Sequence, residues 1–248
     1  MPVFFVSPAC VTPPTISMTG ELQAHLKDSL RVALGETLWF NDGQGTRYRV
    51  EISDLSKHVI TGQILDTIQE PLHVAPHLIL GQSLLKGEKM DWVIQKATEL
   101  GVHAIIPIES RHSVVQLKAD RLDHQLTRWQ RIALEAAQQS EQWRIPTIAR
   151  PQSFTTLLSR DQTTSTILML AERRDGKSLQ TIALPQNTSS SLLILIGPEG
   201  GWSKEEREIA ERRGIEPMTL GQQILRAETA AIATIGILQS RLGRLGKV

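Results

Sequence analysis

The sequence has a single cysteine, Cys10, among its 248 residues, so no disulfide can form within one chain. An unpaired thiol is typical of proteins in a reducing compartment. No apolar run approaches the roughly 18 residues that a membrane-spanning helix needs. The N-terminal segment MPVFFVSPAC lacks the charged start and long apolar core of a signal peptide. Together these absences predict a cytoplasmic protein.

An excess of either charge is also missing, since the formal net charge is only +1. The protein as a whole therefore does not attract nucleic acid, and any RNA affinity would depend on local basic patches. The hydrophobic fraction of 40% and the charged fraction of 21% are ordinary for a folded domain. The length fits two small domains or one large domain.

The first part of the chain predicts short β-strands. The segments TLWF, TRYRVEI and HVITGQIL are rich in β-branched and aromatic residues, and the turn sequence NDGQG separates the first two. We expect a small β-barrel or sandwich, preceded by a helix over TGELQAHLKDSL. The segment DTIQEPLHVAP, from Asp66 to Pro76, has two prolines and no periodicity. It predicts a domain boundary and a division into residues 1–72 and 73–248.

The second part of the chain alternates between strand and helix patterns. Strands are predicted over HLILGQSLL, AIIPI, TILML, SLLILI and PMTLG. Helices are predicted over EKMDWVIQKATEL, residues 119–140, KEEREIAERR and RAETAAIATIGILQSRL. This alternation predicts an α/β fold with a mostly parallel sheet covered on both faces.

A glycine loop, Gly197–Pro198–Glu199–Gly200–Gly201, follows the strand SLLILI. Ser203 and Glu206 match a capping box, so a helix begins directly after it and presents backbone N–H donors. The spacing is not that of a dinucleotide loop or a phosphate-binding P-loop, and Glu199 would repel a phosphate. A positively charged ligand fits better, although a plain tight turn and a carboxylate that complements the helix dipole remain alternatives.

A second glycine loop, LGQQILRAETAAIA, lies about 20 residues further on. The two loops resemble the C-terminal signature of the SPOUT methyltransferases. The segments KGEKMDWVIQKATELGV, ESRHSVV and EAAQQSEQWRIP resemble motifs of the RsmE family, and HLKDSLRVALGETLWFNDGQGTRYRVEI resembles its N-terminal domain. The resemblance covers nearly the whole chain.

This resemblance implies a trefoil-knotted SPOUT domain at residues 73–248 and a PUA-like, RNA-binding β-barrel at residues 1–72. It implies a homodimer that uses S-adenosylmethionine to methylate N3 of a uridine in 16S ribosomal RNA of the small subunit. The cofactor would lie against three loops. Their residues are Leu170, Ala171, Glu172, Ile196, Gly197, Pro198, Glu199, Gly200, Gly201, Leu220, Gly221, Ile224, Leu225, Arg226 and Thr229.

Five basic residues are expected to contact RNA: Arg31, Lys86, Lys89, Arg111 and Arg144. Two other positions depart from the family pattern, since Val3 and Gln142 stand where the family commonly has arginine. RNA contacts at these two positions are therefore in doubt. A further basic helix face around Arg128 is either an RNA contact or simply solvated.

The chemistry of the expected substrate points to one further residue. N3 lies on the Watson–Crick edge of uracil, so the base must be unpaired or flipped out, and a nearby cation would stabilise the anion that develops as the proton leaves. Arg226 is the candidate, unless it forms an ion pair with Glu228 or with a partner subunit. None of the three loops contains a histidine, so no general base is identified.

No metal site is expected, because prolines near His73 and His77 argue against a helix that would bring them together. Two other functions remain open at this level: a non-catalytic RNA-binding factor of ribosome assembly and, less well supported, a nucleotide-binding metabolic enzyme.

Overall fold

The structure is a computed structural model, and it describes residues 3–71, 76–115, 117, 119–159, 165–171, 176–185 and 190–245. The chain divides into two compact units. The first consists of Met1–His73 together with Ala137–Ile145, and the second of Val74–Ala136 together with Pro146–Val248.

The first unit is built on a six-stranded sheet. Its strands in chain order are β1 (Val3–Phe5), β2 (Val11–Thr12), β3 (Thr15–Thr19), β4 (Thr37–Asn41), β5 (Thr46–Leu55) and β6 (Val59–Gln69). The spatial order is β1-β4-β5-β6-β3-β2, in which β1 and β4 are parallel and the other pairs are antiparallel. The predicted helix is present as α1 (Gly20–Ala24), which continues into a π-helical turn, His25–Ser29.

Alternation of apolar and polar residues gives this sheet its buried face. Leu38 and Phe40 of β4 and Val50 and Ile52 of β5 are all buried. The residues between them, Trp39 and Glu51, are more exposed. Side chains of a strand alternate between the two faces, so this pattern places one face on a hydrophobic core.

One boundary of this unit differs from the sequence-based expectation. The segment from Asp66 to Pro76 was interpreted as a domain boundary without periodicity, yet its first residues, Asp66, Thr67 and Ile68, continue β6. They pair with Arg49, Tyr48 and Arg47 of β5. The β-branched pair Thr67 and Ile68 suits a strand, and the adjacent proline at position 71 lies beyond its end.

The second unit alternates strands and helices, as predicted. Its elements are β7 (His77–Ser83), α2 (Lys89–Glu99), β8 (Ala104–Glu109), α3 (Ala119–Gln139), β9 (Thr147–Ile148), β10 (Gln152–Ser153), α4 (Phe154–Ser159), β11 (Ser165–Leu170), β12 (Lys177–Ser178), β13 (Ser191–Ile196), α5 (Lys204–Arg212), β14 (Pro217–Thr219) and α6 (Ala227–Arg241). The last residues of α3 belong to the first unit.

All strand pairs that the structure describes in the sheet of the second unit are parallel. The strand order is β10-β8-β7-β13-β11-β14-β12, and β9 also pairs with β8. The apolar run over β13 is buried on both faces, which is the pattern of a central parallel strand. Because the strands are parallel, their carboxyl ends and the loops that follow them share one edge of the sheet, where α/β proteins commonly bind ligands.

Candidate active site

One cavity of about 510 Å³ lies at the carboxyl ends of β13, β11 and β14, which are neighbours in the sheet. Three chain segments form its walls: the end of β11, the loop between β13 and α5, and the loop between β14 and α6. All of these segments belong to the second unit. The volume lies within the usual range for sites that enclose small molecules.

The loop after β13 is closely packed at two of its glycines. A Cβ added to Gly197 would lie 3.3 Å from the indole ring of Trp202, and a Cβ added to Gly200 would lie 3.2 Å from Cβ of His112. The indole Nε1 of Trp202 donates a hydrogen bond to the carbonyl of Leu170 at 2.9 Å, which ties this loop to the end of β11. Close packing around Gly197 thus holds two walls of the cavity together.

The predicted capping box begins α5 directly behind this loop. The backbone N–H of Glu206 donates to Oγ of Ser203 at 3.2 Å, and the backbone N–H of Ser203 donates to Oε2 of Glu206 at 2.8 Å. The other carboxylate oxygen of Glu206 accepts from the backbone N–H of Arg111 at 2.9 Å. The cap therefore also anchors the loop after β8 beside the cavity.

The loop between β14 and α6 forms the opposite wall. Gly221 has a φ of 126°, a backbone conformation that residues other than glycine rarely adopt. Ile224 lines the cavity and is 77% exposed, and Leu225 beside it is also exposed. Two apolar side chains open to solvent at a cavity mouth are suited to cover the flat face of a bound molecule. Arg226 then occupies the N-cap position of α6.

Charged groups from three elements converge beside the cavity. Nζ of Lys89, at the start of α2, lies 3.2 Å from Oε1 of Glu199 and 3.6 Å from Oε1 of Glu228. The backbone N–H of Lys86 also donates to Oε1 of Glu199 at 3.5 Å. Among the described residues, the buried Oε2 of Glu228 has no hydrogen-bond partner.

The surroundings of Glu199 keep it ionised. Burial acts to raise the pKa of this carboxyl group, but its own backbone N–H, the Lys89 ammonium and the Lys86 N–H outweigh burial and lower the pKa below its ordinary value. Glu199 lines the cavity, so the cavity wall has a stable negative charge suited to a cationic ligand.

The structure brings together most residues expected at a cofactor site. The predicted residues that line the cavity are Leu170, Ala171, Ile196, Gly197, Pro198, Glu199, Gly200, Gly201, Leu220, Gly221, Ile224, Leu225 and Arg226. Thr229 is not among the lining residues, and Glu172 lies outside the described residues. Their individual roles stay predictions.

Sequence reasoning did not identify several lining residues. These are Gly176, Trp202, Arg207, Pro217, Thr219, Gln223, Ala227 and Ala230. Most of them adjoin the two glycine loops, so extending each motif by a few residues would have found them. His112 carries no such signal, yet its Nδ1 lies 3.2 Å from the carbonyls of both Gly200 and Gly201.

The ion pair between Arg226 and Glu228 that was the alternative to a catalytic role is not formed among the described residues, since the ion pair of Glu228 is with Lys89. Arg226 is exposed and lines the cavity. Its guanidinium is thus placed where it could meet a second ligand at the cavity mouth.

The basic residues expected to contact RNA fall in both units. Arg31 is exposed in the first unit, where Arg144 forms an ion pair with Glu70 at 2.6 Å. Lys86, Lys89 and Arg111 belong to the second unit. Lys86 and Arg111 are exposed, whereas Lys89 is half-buried between its two carboxylates.

Arg128 lies on the basic helix face that was predicted to be either an RNA contact or simply solvated. Its Nε and Nη2 both donate hydrogen bonds to Oδ2 of Asp91, at 3.0 and 2.6 Å. Its side chain is nevertheless exposed, so this ion pair leaves both alternatives standing.

Neither a metal site nor a membrane span is found in the part of the chain that the structure describes. Within it, no three His, Cys, Asp or Glu residues are grouped closely enough to hold a metal ion. None of its helices has both the length and the apolar character that crossing a bilayer requires. The ring of His77 contacts that of His103 in a tilted arrangement with centroids 4.4 Å apart, and His73 lies outside the described residues.

Comparison with known proteins gives one consistent family. A family model for the RNA methyltransferase domain matches residues 73–239. Ribosomal RNA small subunit methyltransferase E of Bacillus subtilis is 33% identical over 230 residues, which cover 91% of this chain and 90% of that protein. The protein of the same name from Synechocystis is 31% identical over 237 residues, which cover 94% of this chain and 76% of that protein.

The fold of this chain matches that of a solved structure along nearly the whole length of both chains. The ribosomal RNA small subunit methyltransferase E of Neisseria gonorrhoeae, bound to S-adenosyl methionine, superposes with a TM-score of 0.86 at 31% identity. The match covers 97% of this chain and 98% of that chain. The mixed α/β architecture described above is therefore that of a known methyltransferase fold.

Proposed function

The chain belongs to the ribosomal RNA small subunit methyltransferase E family, and from that premise we propose that it methylates ribosomal RNA of the small subunit at N3 of a uridine, using S-adenosylmethionine. The observation that carries the proposal is the cavity walled by the two glycine loops and the end of β11. The relatives from Bacillus subtilis, Synechocystis and Neisseria gonorrhoeae are all named as methyltransferases of small-subunit ribosomal RNA, and the last of them is bound to S-adenosyl methionine.

The residues of the cavity fit S-adenosylmethionine. Apolar side chains of Leu220, Ile224 and Leu225 would hold the adenine, and Gly197 and Gly221 allow the backbone to approach it. Glu199 supplies a carboxylate that stays ionised and so complements a positive charge. When bound, the cofactor supplies a methyl group activated by a sulfonium.

Arg226 is the residue proposed to act on the second substrate. Uridine N3 carries a proton that must leave as the base is methylated, so negative charge develops on the uracil ring. An exposed guanidinium at the cavity mouth can donate to O2 or O4 and stabilise that charge. The base must be unpaired or flipped out of its stack to reach the site.

The finer architecture is part of the same proposal. Residues 73–248 would form a trefoil-knotted SPOUT domain and residues 1–72 a PUA-like, RNA-binding barrel, with Arg31 and Arg144 among the RNA contacts. The six-stranded sheet of the first unit supports the second assignment. A cytoplasmic location follows from the ribosomal substrate.

A homodimer is also proposed, because α6 has small residues that allow another helix to pack closely against it. Light scattering at micromolar concentration should give twice the 27.6 kDa of one chain. A mass of one chain would contradict the dimer.

Calorimetry with S-adenosylmethionine, ATP and NAD tests the cofactor assignment directly. We expect saturable binding of S-adenosylmethionine alone. A protein that binds ribosomal RNA but none of the three small molecules would instead be a non-catalytic assembly factor, for which the walled cavity has no evident use. Preferential binding of ATP or NAD would favour a metabolic enzyme.

A further inference from the structure

Lys89 occupies an unusual position for a residue expected to contact RNA. It is the first residue of α2, and its ammonium lies between two carboxylates. Glu199 lines the cavity, and Glu228 directly follows two lining residues of the opposite wall. Glu199 lies in the loop after β13, and Glu228 lies in the first turn of α6, directly after the loop that follows β14. The side chain of Lys89 is 35% exposed, and those of Glu199 and Glu228 are 30% and 15% exposed.

We infer that Lys89 is a positioning residue of the cofactor site, which cross-links the two glycine-loop walls through Glu199 and Glu228 instead of contacting RNA phosphate. This inference rests on the proposed function, since it makes Lys89 a support for the walls of the cofactor cavity of that function.

The contacts of Lys89 leave little capacity for a phosphate. A lysine ammonium has three donors, and two carboxylates already accept from it or lie within ion-pairing distance. A phosphate would have to approach past Glu199 and Glu228, whose charges repel it. Lys86 is exposed three residues earlier and has no such carboxylate on its own ammonium among the described residues, so it remains the better phosphate contact on this loop.

Loss of the Lys89 ammonium would change the site in a defined way. Two carboxylates that now share one cation would face each other unneutralised, and Oε2 of Glu228 is buried with no partner in the described part of the chain. A buried charge that loses its counterion is strongly destabilising. The carboxylates would therefore separate, and the walls carrying Ile196–Gly201 and Leu220–Arg226 would move apart.

A positioning role of Lys89 and a purely electrostatic role predict opposite changes in the affinity for S-adenosylmethionine when the lysine is replaced. Removing a positive charge close to a site for a cationic molecule should tighten binding if only the charge mattered. If Lys89 instead positions the walls, Lys89→Met should weaken binding of S-adenosylmethionine. We expect a loss of affinity on the order of three- to tenfold from two partly exposed ion pairs.

The chain offers a closely matched control for this substitution. Lys96 lies on the same helix, its side chain is 34% exposed, and it also forms an ion pair with a glutamate, Glu99, at 2.7 Å. Both partners of this ion pair lie within α2, so the pair does not connect the walls of the cavity. Lys96→Met should therefore leave the affinity for S-adenosylmethionine unchanged.

Calorimetry with S-adenosylmethionine and filter binding of small ribosomal subunits at several salt concentrations test the inference on the full-length protein. We expect Lys89→Met to weaken cofactor binding while the salt dependence of subunit binding stays that of the wild type. A phosphate contact would instead reduce the slope of log affinity against log salt by about 1 and leave cofactor affinity unchanged. That result, or tighter cofactor binding by Lys89→Met, would overturn the inference.

Two further variants keep the experiment decisive if Lys89→Met folds poorly. Lys89→Arg retains the cation and should recover part of the affinity. The double substitution Lys89→Met with Glu228→Gln removes the uncompensated carboxylate and should recover melting temperature while cofactor binding stays weakened. Wild-type affinity in both variants would contradict the cross-link. A wild-type protein that binds no S-adenosylmethionine would instead overturn the proposed function itself.

Discussion

Substitution of Arg226 by alanine tests the step proposed for the RNA base. The arginine is exposed, lines the cavity, and forms no ion pair with Glu228 among the described residues. Removing an exposed side chain that supports no buried contact changes the free energy of unfolding by roughly 0.5 kcal/mol or less. The folded protein should therefore survive this change almost intact.

The expected effect on catalysis is much larger. Loss of one donor that stabilises developing negative charge typically lowers turnover by about 10²–10³, equivalent to roughly 2.7–4 kcal/mol of transition-state stabilisation. The interaction exists mainly in the transition state, so affinity for S-adenosylmethionine should change little. Lysine at this position keeps the charge but loses the planar fork of donors, so Arg226→Lys should recover part of the rate.

Single-turnover methylation of small ribosomal subunits measures this effect, with melting temperature and cofactor affinity recorded for the same preparations. Arg207 provides the control, because it lines the same cavity but its guanidinium donates to the backbone carbonyl of Trp202 at 2.9 Å. Arg207→Ala should lower stability or cofactor affinity more than the chemical rate. A stable, cofactor-binding Arg226→Ala protein with nearly wild-type rate would refute the role given to Arg226.

Three further substitutions test the cavity and its supports. Gly197→Val should abolish cofactor binding measured by calorimetry, because its Cβ would lie 3.3 Å from the Trp202 ring. Gly236→Ala on α6 is the control, since its Cβ would meet open space and the cofactor should bind normally. Equal cofactor affinities of the two variants would contradict the packing argument. Ser203→Ala should lower the free energy of unfolding by about 0.5–2 kcal/mol in urea titrations through loss of the α5 cap, and an unchanged value would show that the cap is dispensable. The folded protein lowers the pKa of Glu199 below its ordinary value, so the ionised carboxylate stabilises the fold at pH values above that ordinary pKa. This stabilisation is lost as the pH falls through the pKa of the folded state, so the melting temperature of the wild type should fall more steeply with acidification than that of Glu199→Gln. Parallel curves of melting temperature against pH would show that Glu199 makes no such contribution.

Local patterns predicted the elements of the second unit well. The apolar run SLLILI coincides with β13, and Ser203 and Glu206 form the capping box that begins α5. Each of these features depends on residues close together in the chain, so spacing and residue type suffice to predict it. The two-residue strands β9, β10 and β12 were not predicted, because two residues are too few to show any periodicity.

Contacts between distant segments could not be predicted from spacing. Lys89 meets Glu199 across 110 positions of sequence, and His112 meets Gly200 across 88. Helix α3 begins in the second unit, yet its last residues and the segment after it, residues 137–145, belong to the first unit. Such pairs depend on which strands become neighbours in the sheet. Lys89 was therefore expected to contact RNA, and its ion pairs with Glu199 and Glu228 beside the cavity could not be predicted.

Methylation of small ribosomal subunits that lack the modification, followed by digestion and mass spectrometry of the nucleosides, tests the central claim most directly. With the wild-type protein and S-adenosylmethionine carrying an isotopically labelled methyl group, we expect the label in 3-methyluridine of 16S ribosomal RNA. The label should be absent from the products of Arg226→Ala at early times. Label in a different nucleoside, or no transfer by a protein that binds the cofactor, would contradict the account.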